Sequence, residues 1–163
     1  MVAKKGGAGT PATAALSARG IAFTEHPYSH QPGAASYGLE AADALGVDPN
    51  RVFKTLLADV DGALVVAVVP VSTQLDLKAL ASAVGAKRAT MAEPALAERK
   101  TGYVVGGISP VGQKTPLRTV LDDSLVLHAS VFVSGGRRGL DIELAPADLL
   151  TATAGALAAI ARS

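Results

Sequence analysis

The 163-residue chain contains no cysteine and no tryptophan. The first absence excludes a disulfide scaffold, a thiolate nucleophile supplied by the protein, and any zinc site built on sulfur. Aromatic residues make up only 4%, so a core has to be assembled mainly from Ala, Val, Leu and Ile. Charged residues are sparse at 18%, and 15 basic against 14 acidic side chains leave a formal net charge of +1. A protein that coats nucleic acid through bulk charge is not built this way, although a local basic patch remains compatible with it. Long hydrophobic runs are missing as well. The longest, Ala63 to Val71, falls far below the roughly 20 residues that span a bilayer. Lys4 and Lys5 are followed by glycines rather than by an apolar stretch, so the start of the chain does not read as a signal peptide. Residues 1–9 read as a flexible tail, and a soluble, cytoplasmic protein with neither membrane nor DNA as a partner is expected.

What is present suffices for one domain over residues 10–163. Hydrophobic residues reach 49%, enough to fill a core at this length. Thr10-Pro11 reads as a helix cap with proline at the first position, and Gly20 as its stop. Ile21 to His26 reads as a short strand and Ser36 to Leu45 as a helix closed by Gly46. Val52 to Val60 and Ala63 to Val71 flank Asp61-Gly62, a strong hairpin signal. The second of these strands is apolar throughout, as when both faces are buried. Leu77, Leu80, Ala81 and Val84 recur at helical spacing behind Asp76. Thr90 to Lys100 reads as another helix, Tyr103 to Val105 as a strand, and Ala129 to Ser134 and Leu140 to Leu144 as two more strands. Pro146 opens a final helix extending to about Arg162. The expected class is α/β, a mixed, barrel-like sheet flanked by helices.

Three stretches carry chemistry. Strand alternation puts Lys54 on the side of Val52 and Leu56, where a lysine is costly unless its ammonium reaches water or an anion. It reads either as a snorkelling side chain on an edge strand or as a cation held in a cleft for a phosphate or a developing oxyanion. Gly106-Gly107-Ile108-Ser109-Pro110 reads either as an ordinary turn or as a place where exposed N–H groups meet an oxyanion or a ribose. Ser134-Gly135-Gly136-Arg137-Arg138-Gly139 reads as a solvated hairpin tip or as a backbone-phosphate contact, with Asp141 on the returning strand. Other chemistries are disfavoured. Gly107 to Thr115 resembles a P-loop, but Gln113 and Pro110 break it. Ser109 lacks a nucleophile elbow. His26 and His30 are separated by Pro27, with only His128 as a third imidazole, so no metal or other cofactor is expected.

Taken together, His26-Pro27-Tyr28, Val52-Phe53-Lys54-Thr55-Leu56, Gln74 to Lys78, Thr101-Gly102-Tyr103, Val105 to Pro110, Gly112-Gln113-Lys114 and Val133 to Leu144 resemble the YbaK/prolyl-tRNA-editing family, in order and over nearly the whole chain. The resemblance implies the fold of the editing domain inserted in bacterial prolyl-tRNA synthetases, a barrel-like mixed sheet. It also implies a free-standing deacylase that clears Cys-tRNA(Pro), with Cys-tRNA(Cys) a further substrate. On this resemblance Lys54, Gly106 and Asp141 are catalytic. Tyr28, Tyr37, Thr55, Gly107, Ile108, Ser109, Ser134 and Gly135 bind substrate. The implied partners are the 3′ acceptor end of an aminoacyl-tRNA and prolyl-tRNA synthetase. Two departures stand out: Tyr37 replaces a familiar phenylalanine, and Thr115-Pro116 stands where the family is more basic. The implied mechanism needs no protein nucleophile, because the substrate's own thiol attacks its ester and the protein orients it. An editing hydrolase of the Ala-tRNA(Pro) type using water and a non-catalytic aminoacyl-tRNA- or synthetase-binding module are the alternatives.

Overall fold

Threonine before proline starts the first helix for local reasons. In the computed structural model, which describes residues 9–31 and 36–163, Thr10 accepts from Thr13 N while the Thr13 side chain accepts from Thr10 N. This closed box satisfies two orphan donors of α1 (Pro11–Ala18). Residues 1–8, and with them nearly all of the expected tail, lie outside the described residues. After β1 (Thr24–Pro27), α2 (Tyr37–Leu45) is capped by Ser36 and closed by Gly46 at φ 67°. The expected hairpin forms β2 (Phe53–Val60) and β3 (Ala63–Pro70). Asp61 and Gly62 both take positive φ, 50° and 91°, as the tight turn requires. β4 (Gln74–Leu75) leads into α3 (Leu77–Ala83), whose cap Asp76 accepts from Ala79 N at 3.0 Å.

Three expectations are corrected here, and one strand is added. Thr90 to Lys100 is not one helix: Thr90 pairs with Asp59 inside β5 (Ala89–Met91), and Pro94 starts a separate α4 (Pro94–Thr101). Tyr103 to Val105 is not a strand. Its groups are taken locally: Tyr103 N donates to Thr101 Oγ1, Val105 N to Glu98 Oε2 and the Tyr103 hydroxyl to Val111 O. The stretch after Lys114 holds an unexpected β6 (Arg118–Asp122). Beyond β7 (Val131–Arg137) and β8 (Leu140–Leu144), the final helix α5 (Pro146–Thr153) stops well before Arg162. Ala154 takes φ 52°, and Gly155 follows so close to β6 that a Cβ would sit 2.2 Å from Leu121 Cδ1. The chain then continues as β9 (Ala156–Ala158) and β10 (Ala161–Arg162).

Asp122 holds this C-terminal return. It is 5% exposed, and its Oδ1 accepts from Ile160 N at 3.0 Å and from Ala161 N at 2.9 Å. Its other oxygen takes Ser124 N and Oγ. Asp122→Ala would leave buried N–H groups unpaired, at about 1–3 kcal/mol each. The variant is therefore expected to lose about 3 kcal/mol in urea unfolding, with Asp122→Asn losing less.

Strands pair as β5-β2-β3-β6-β9, β1-β8-β7 and β10-β4. Contacts β3–β6 and β6–β9 are parallel and the rest antiparallel, so the mixed α/β class holds. The sheet does not close into a barrel. Among the described residues the five-stranded and three-stranded sheets share backbone pairing at one isolated bridge, Val52 to Phe132; their side chains meet in a common core, and residues of both line a cavity. β3 explains its apolar run: Val66 and Val68 enter one core cluster, and Val65, Ala67 and Val69 the cluster on the opposite face.

Candidate active site

The cavity measures about 380 Å³, enough for a small ligand group. One wall is the first half of β2, which pairs with β3 on one side but meets β5 only from Ala58 onward. Lys54 and Thr55 lie in that half-unpaired stretch and line the cavity. Lys54 is half-buried, and its Nζ donates to Thr73 O at 2.8 Å. Desolvation lowers its pKa from the ordinary lysine value. The ammonium forms no ion pair among the described residues. Thr55 Oγ1 is buried and has no hydrogen-bond partner among the described residues. The edge-strand reading of Lys54 is thus half right: the open edge faces an internal cleft.

The opposite wall comes from β7 and β8. Ser134 and Asp141 sit across from each other in register and both line the cavity. Asp141 is 4% exposed, and burial pushes its carboxyl up to about 7 with no donor or cation opposing the shift. Tyr28 follows directly on β1, its N–H donating to Gly139 O at 2.8 Å. Burial, and then the nearby Asp141 carboxylate, push its hydroxyl up to about 12, so it is a hydrogen-bond donor at neutral pH.

The rest of the wall shows why glycine stands where it does. Gly106, at φ 88°, lies flat under the Tyr37 ring, where a Cβ would come 2.8 Å from three ring carbons. Ile108 completes this side, and Leu57, Ala92, Pro94 and Ala97 make an apolar floor. No helical or strand pattern marked the floor residues beforehand, because their shared face is created by tertiary packing of α4 on β2.

Of the expected site residues, Lys54, Thr55, Gly106, Ile108, Tyr28, Tyr37, Ser134 and Asp141 line one cavity. Three do not. Ser109 is fully buried, with its Oγ accepting from Val111 N. Gly107 packs against the Arg137–Arg138 backbone, where a Cβ would approach to 2.8 Å. Gly135 O accepts from the Thr10 hydroxyl. These three shape the loops around the cavity. Gln113 likewise turns inward, its Nε2 donating to Ser109 O at 3.0 Å. His26 bonds Glu143 and His30 bonds Glu40, and no group of three or more potential metal ligands occurs among the described residues. No helix among them is long and apolar enough to cross a membrane.

A mixed α/β domain with one deep cleft, a cation on one wall and a buried carboxyl on the other defines a small-ligand site without a histidine or cysteine in its lining. The family model for the aminoacyl-tRNA editing domain matches residues 31–152, and the chain belongs to that family. It is 42% identical over 121 residues, 73% of each chain, to EbsC of Enterococcus faecalis, named as a Cys-tRNA(Pro)/Cys-tRNA(Cys) deacylase. It is 34% identical over 100 residues to the proline–tRNA ligase of Moorella thermoacetica, covering 61% of this chain and 17% of that enzyme. Among solved structures, a protein described as a trans-editing enzyme for prolyl tRNA synthetase superposes with a TM-score of 0.80 at 27% identity. That match covers 94% of this chain and 96% of the other.

Proposed function

We propose that the chain is a trans-editing aminoacyl-tRNA deacylase acting on Cys-tRNA(Pro), with Cys-tRNA(Cys) as a second substrate. The observation that carries this reading is the pairing of charges in the cavity. An aminoacyl ester brings an α-ammonium and a carbonyl that becomes an oxyanion during cleavage. Asp141 is a buried carboxyl without a counter-charge, which suits the ammonium. Lys54 is a desolvated cation with N–H groups beyond the one given to Thr73, which suits the oxyanion. The Gly106 backbone lies beside them, and Tyr28, Thr55 and Ser134 supply hydroxyls to hold the ribose and amino group.

The lining offers no histidine or cysteine to act as protein nucleophile or imidazole base. The cysteinyl substrate supplies its own, a thiol whose free pKa is about 8.5. Its sulfur attacks the ester carbonyl carbon, the bond from that carbon to the ribose oxygen breaks, and the thiol proton ends on the released hydroxyl. The products are a cyclic thiolactone and uncharged tRNA. Lys54 stabilises the oxyanion, and the apolar floor holds the sulfur close to the carbonyl; orientation of this kind contributes about 7–11 kcal/mol. Such a substrate places the enzyme in the cytoplasm, with prolyl-tRNA synthetase as the source of the mischarged tRNA.

The test is a panel of tRNA(Pro) esters of cysteine, S-methylcysteine, serine and alanine. The cysteine ester is expected to be cleaved at least about 100-fold faster than the S-methyl ester, which lacks the thiol proton and most of the nucleophilicity. Equal rates across the panel would instead assign the reaction to water, as in an Ala-tRNA(Pro)-type hydrolase. No cleavage of any ester would leave a non-catalytic binding module.

A further inference from the structure

The hairpin tip between β7 and β8 is clamped from two sides. Gly107 lies against the backbone of Arg137 and Arg138, and Gly139 lies so close to Tyr28 O that a Cβ would approach to 2.9 Å. Tyr28 N also donates to Gly139 O at 2.8 Å. A glycine-rich tip of this kind would ordinarily be loose, but here its backbone is fixed against two loops that flank the cavity.

Arg138 is the side chain this clamp presents. Its Nε donates to Val105 O at 2.8 Å, and its guanidinium carbon lies 5.0 Å from the centroid of the Tyr37 ring, within cation–π range. Val105 and Tyr37 both line the cavity. Arg138 itself is exposed, so the guanidinium lies on the solvent side of that wall. Among the described residues no carboxylate pairs with it, and Nε makes its only hydrogen bond to protein. An exposed arginine in a neutral protein usually swings freely. This one is oriented by a stack and a carbonyl, which leaves the two Nη groups for a ligand. A planar guanidinium can stack and donate to a phosphate at once, which an ammonium cannot.

We infer that Arg138 binds the 5′-phosphate of the 3′-terminal nucleotide whose ribose carries the amino acid. The inference rests on the reading of the cavity as the aminoacyl site: with the ester inside, the first anion outside is the phosphate one ribose away. Arg138 is then one point at which a chain of near-zero net charge grips the RNA end. Selection at that point acts on the nucleotide end rather than on the body of the tRNA.

The experiment compares two small substrates, 3′-cysteinyl adenosine and 3′-cysteinyl adenosine 5′-monophosphate. A charge-assisted arginine–phosphate contact contributes about 1.5–3 kcal/mol, and 1.4 kcal/mol is a factor of ten. The wild type is therefore expected to prefer the phosphorylated ester in kcat/KM by about tenfold or more. Arg138→Ala should bring that ratio close to one, and Arg138→Lys should keep an intermediate ratio. A wild-type ratio near one, or an undiminished ratio in Arg138→Ala, overturns the inference. An equal drop on both substrates overturns it too, because it assigns Arg138 to holding Tyr37. Calorimetric binding of 5′-AMP against adenosine separates this result from the proposed reaction. If no ester is cleaved, the deacylase reading falls while the phosphate preference and its loss in Arg138→Ala still decide the role of Arg138.

Discussion

Lys54→Ala is expected to lower kcat on Cys-tRNA(Pro) by about 10²–10³-fold, the loss seen when one preorganised oxyanion donor is removed. The fold should not suffer with it. The Lys54 ammonium is partly desolvated, and among the described residues it pairs with no carboxylate and makes its one hydrogen bond to the Thr73 carbonyl. Removing a cation held under those conditions relieves a desolvation cost while giving up one hydrogen bond, and the two roughly cancel. Thermal unfolding of the variant should stay within a few degrees of the wild type. Lys54→Arg keeps the charge but not the compact point donor, and a planar guanidinium in this slot should restore little turnover. A variant that unfolds, or one that cleaves the ester at the wild-type rate, would falsify the assignment of Lys54 to the reaction.

Lys54 also shows what a sequence discloses. Alternation marked it as a cation among apolar neighbours, which is an anomaly visible from one strand. Whether the anomaly was an edge or a cleft depended on where β5 begins to pair with β2, and that lies more than thirty positions downstream, at Thr90 with Asp59 and Met91 with Ala58. The same division runs through the fold. Elements set by local chemistry were legible: the Thr10 cap, the helix closed by Gly46, the helix behind Asp76 and the Asp61-Gly62 turn all stand where expected. Elements set by distant partners were not. Nothing in Arg118 to Asp122 announces a strand until β3 lies beside it, and the alanines after Gly155 have high helix propensity but are drawn into β9 and β10 by β6, β4 and the Asp122 carboxylate. The barrel failed for a related reason. The pattern reads as one barrel-like mixed sheet; that its strands divide into sheets paired to each other only at Val52 and Phe132 among the described residues cannot be read from it.

For the site, the residues with unusual chemistry were found and those with ordinary chemistry were not. Glycines at 106 and 107 stood out together, yet only Gly106 lines the cavity, because the ring of Tyr37 rests on it whereas a hairpin backbone rests on Gly107. Spacing could not separate the two. The floor at Leu57, Ala92 and Ala97 carried no signal, since apolar residues there serve a core and a pocket equally well.

Asp141→Asn is expected to make the protein more stable and nearly inactive, with the gain present only at higher pH. The folded-state pKa, pushed up to about 7, lies above the ordinary 3.8. Between those values the folded chain holds a proton that the unfolded chain has released, so stability falls as pH rises through that window and is lowest above about 7. The full shift corresponds to at most about 4 kcal/mol, reduced by any solvent reaching the cavity. Asparagine never ionises and escapes the loss. Melting curves should therefore nearly coincide only near pH 3, below the unfolded value, and separate progressively up to pH 8, with the variant higher. Over the same change kcat/KM on Cys-tRNA(Pro) should fall by about 10²-fold, as when one member of a buried charge pair is removed. A melting difference that ignores pH would show that the carboxyl is not the strained group. The two effects have one cause. A carboxylate buried without a counter-ion is a cost the empty protein carries, and an arriving α-ammonium cancels it. A non-cleavable cysteinyl-adenosine amide should accordingly raise the melting temperature of the wild type at pH 8 by more than it raises that of Asp141→Asn.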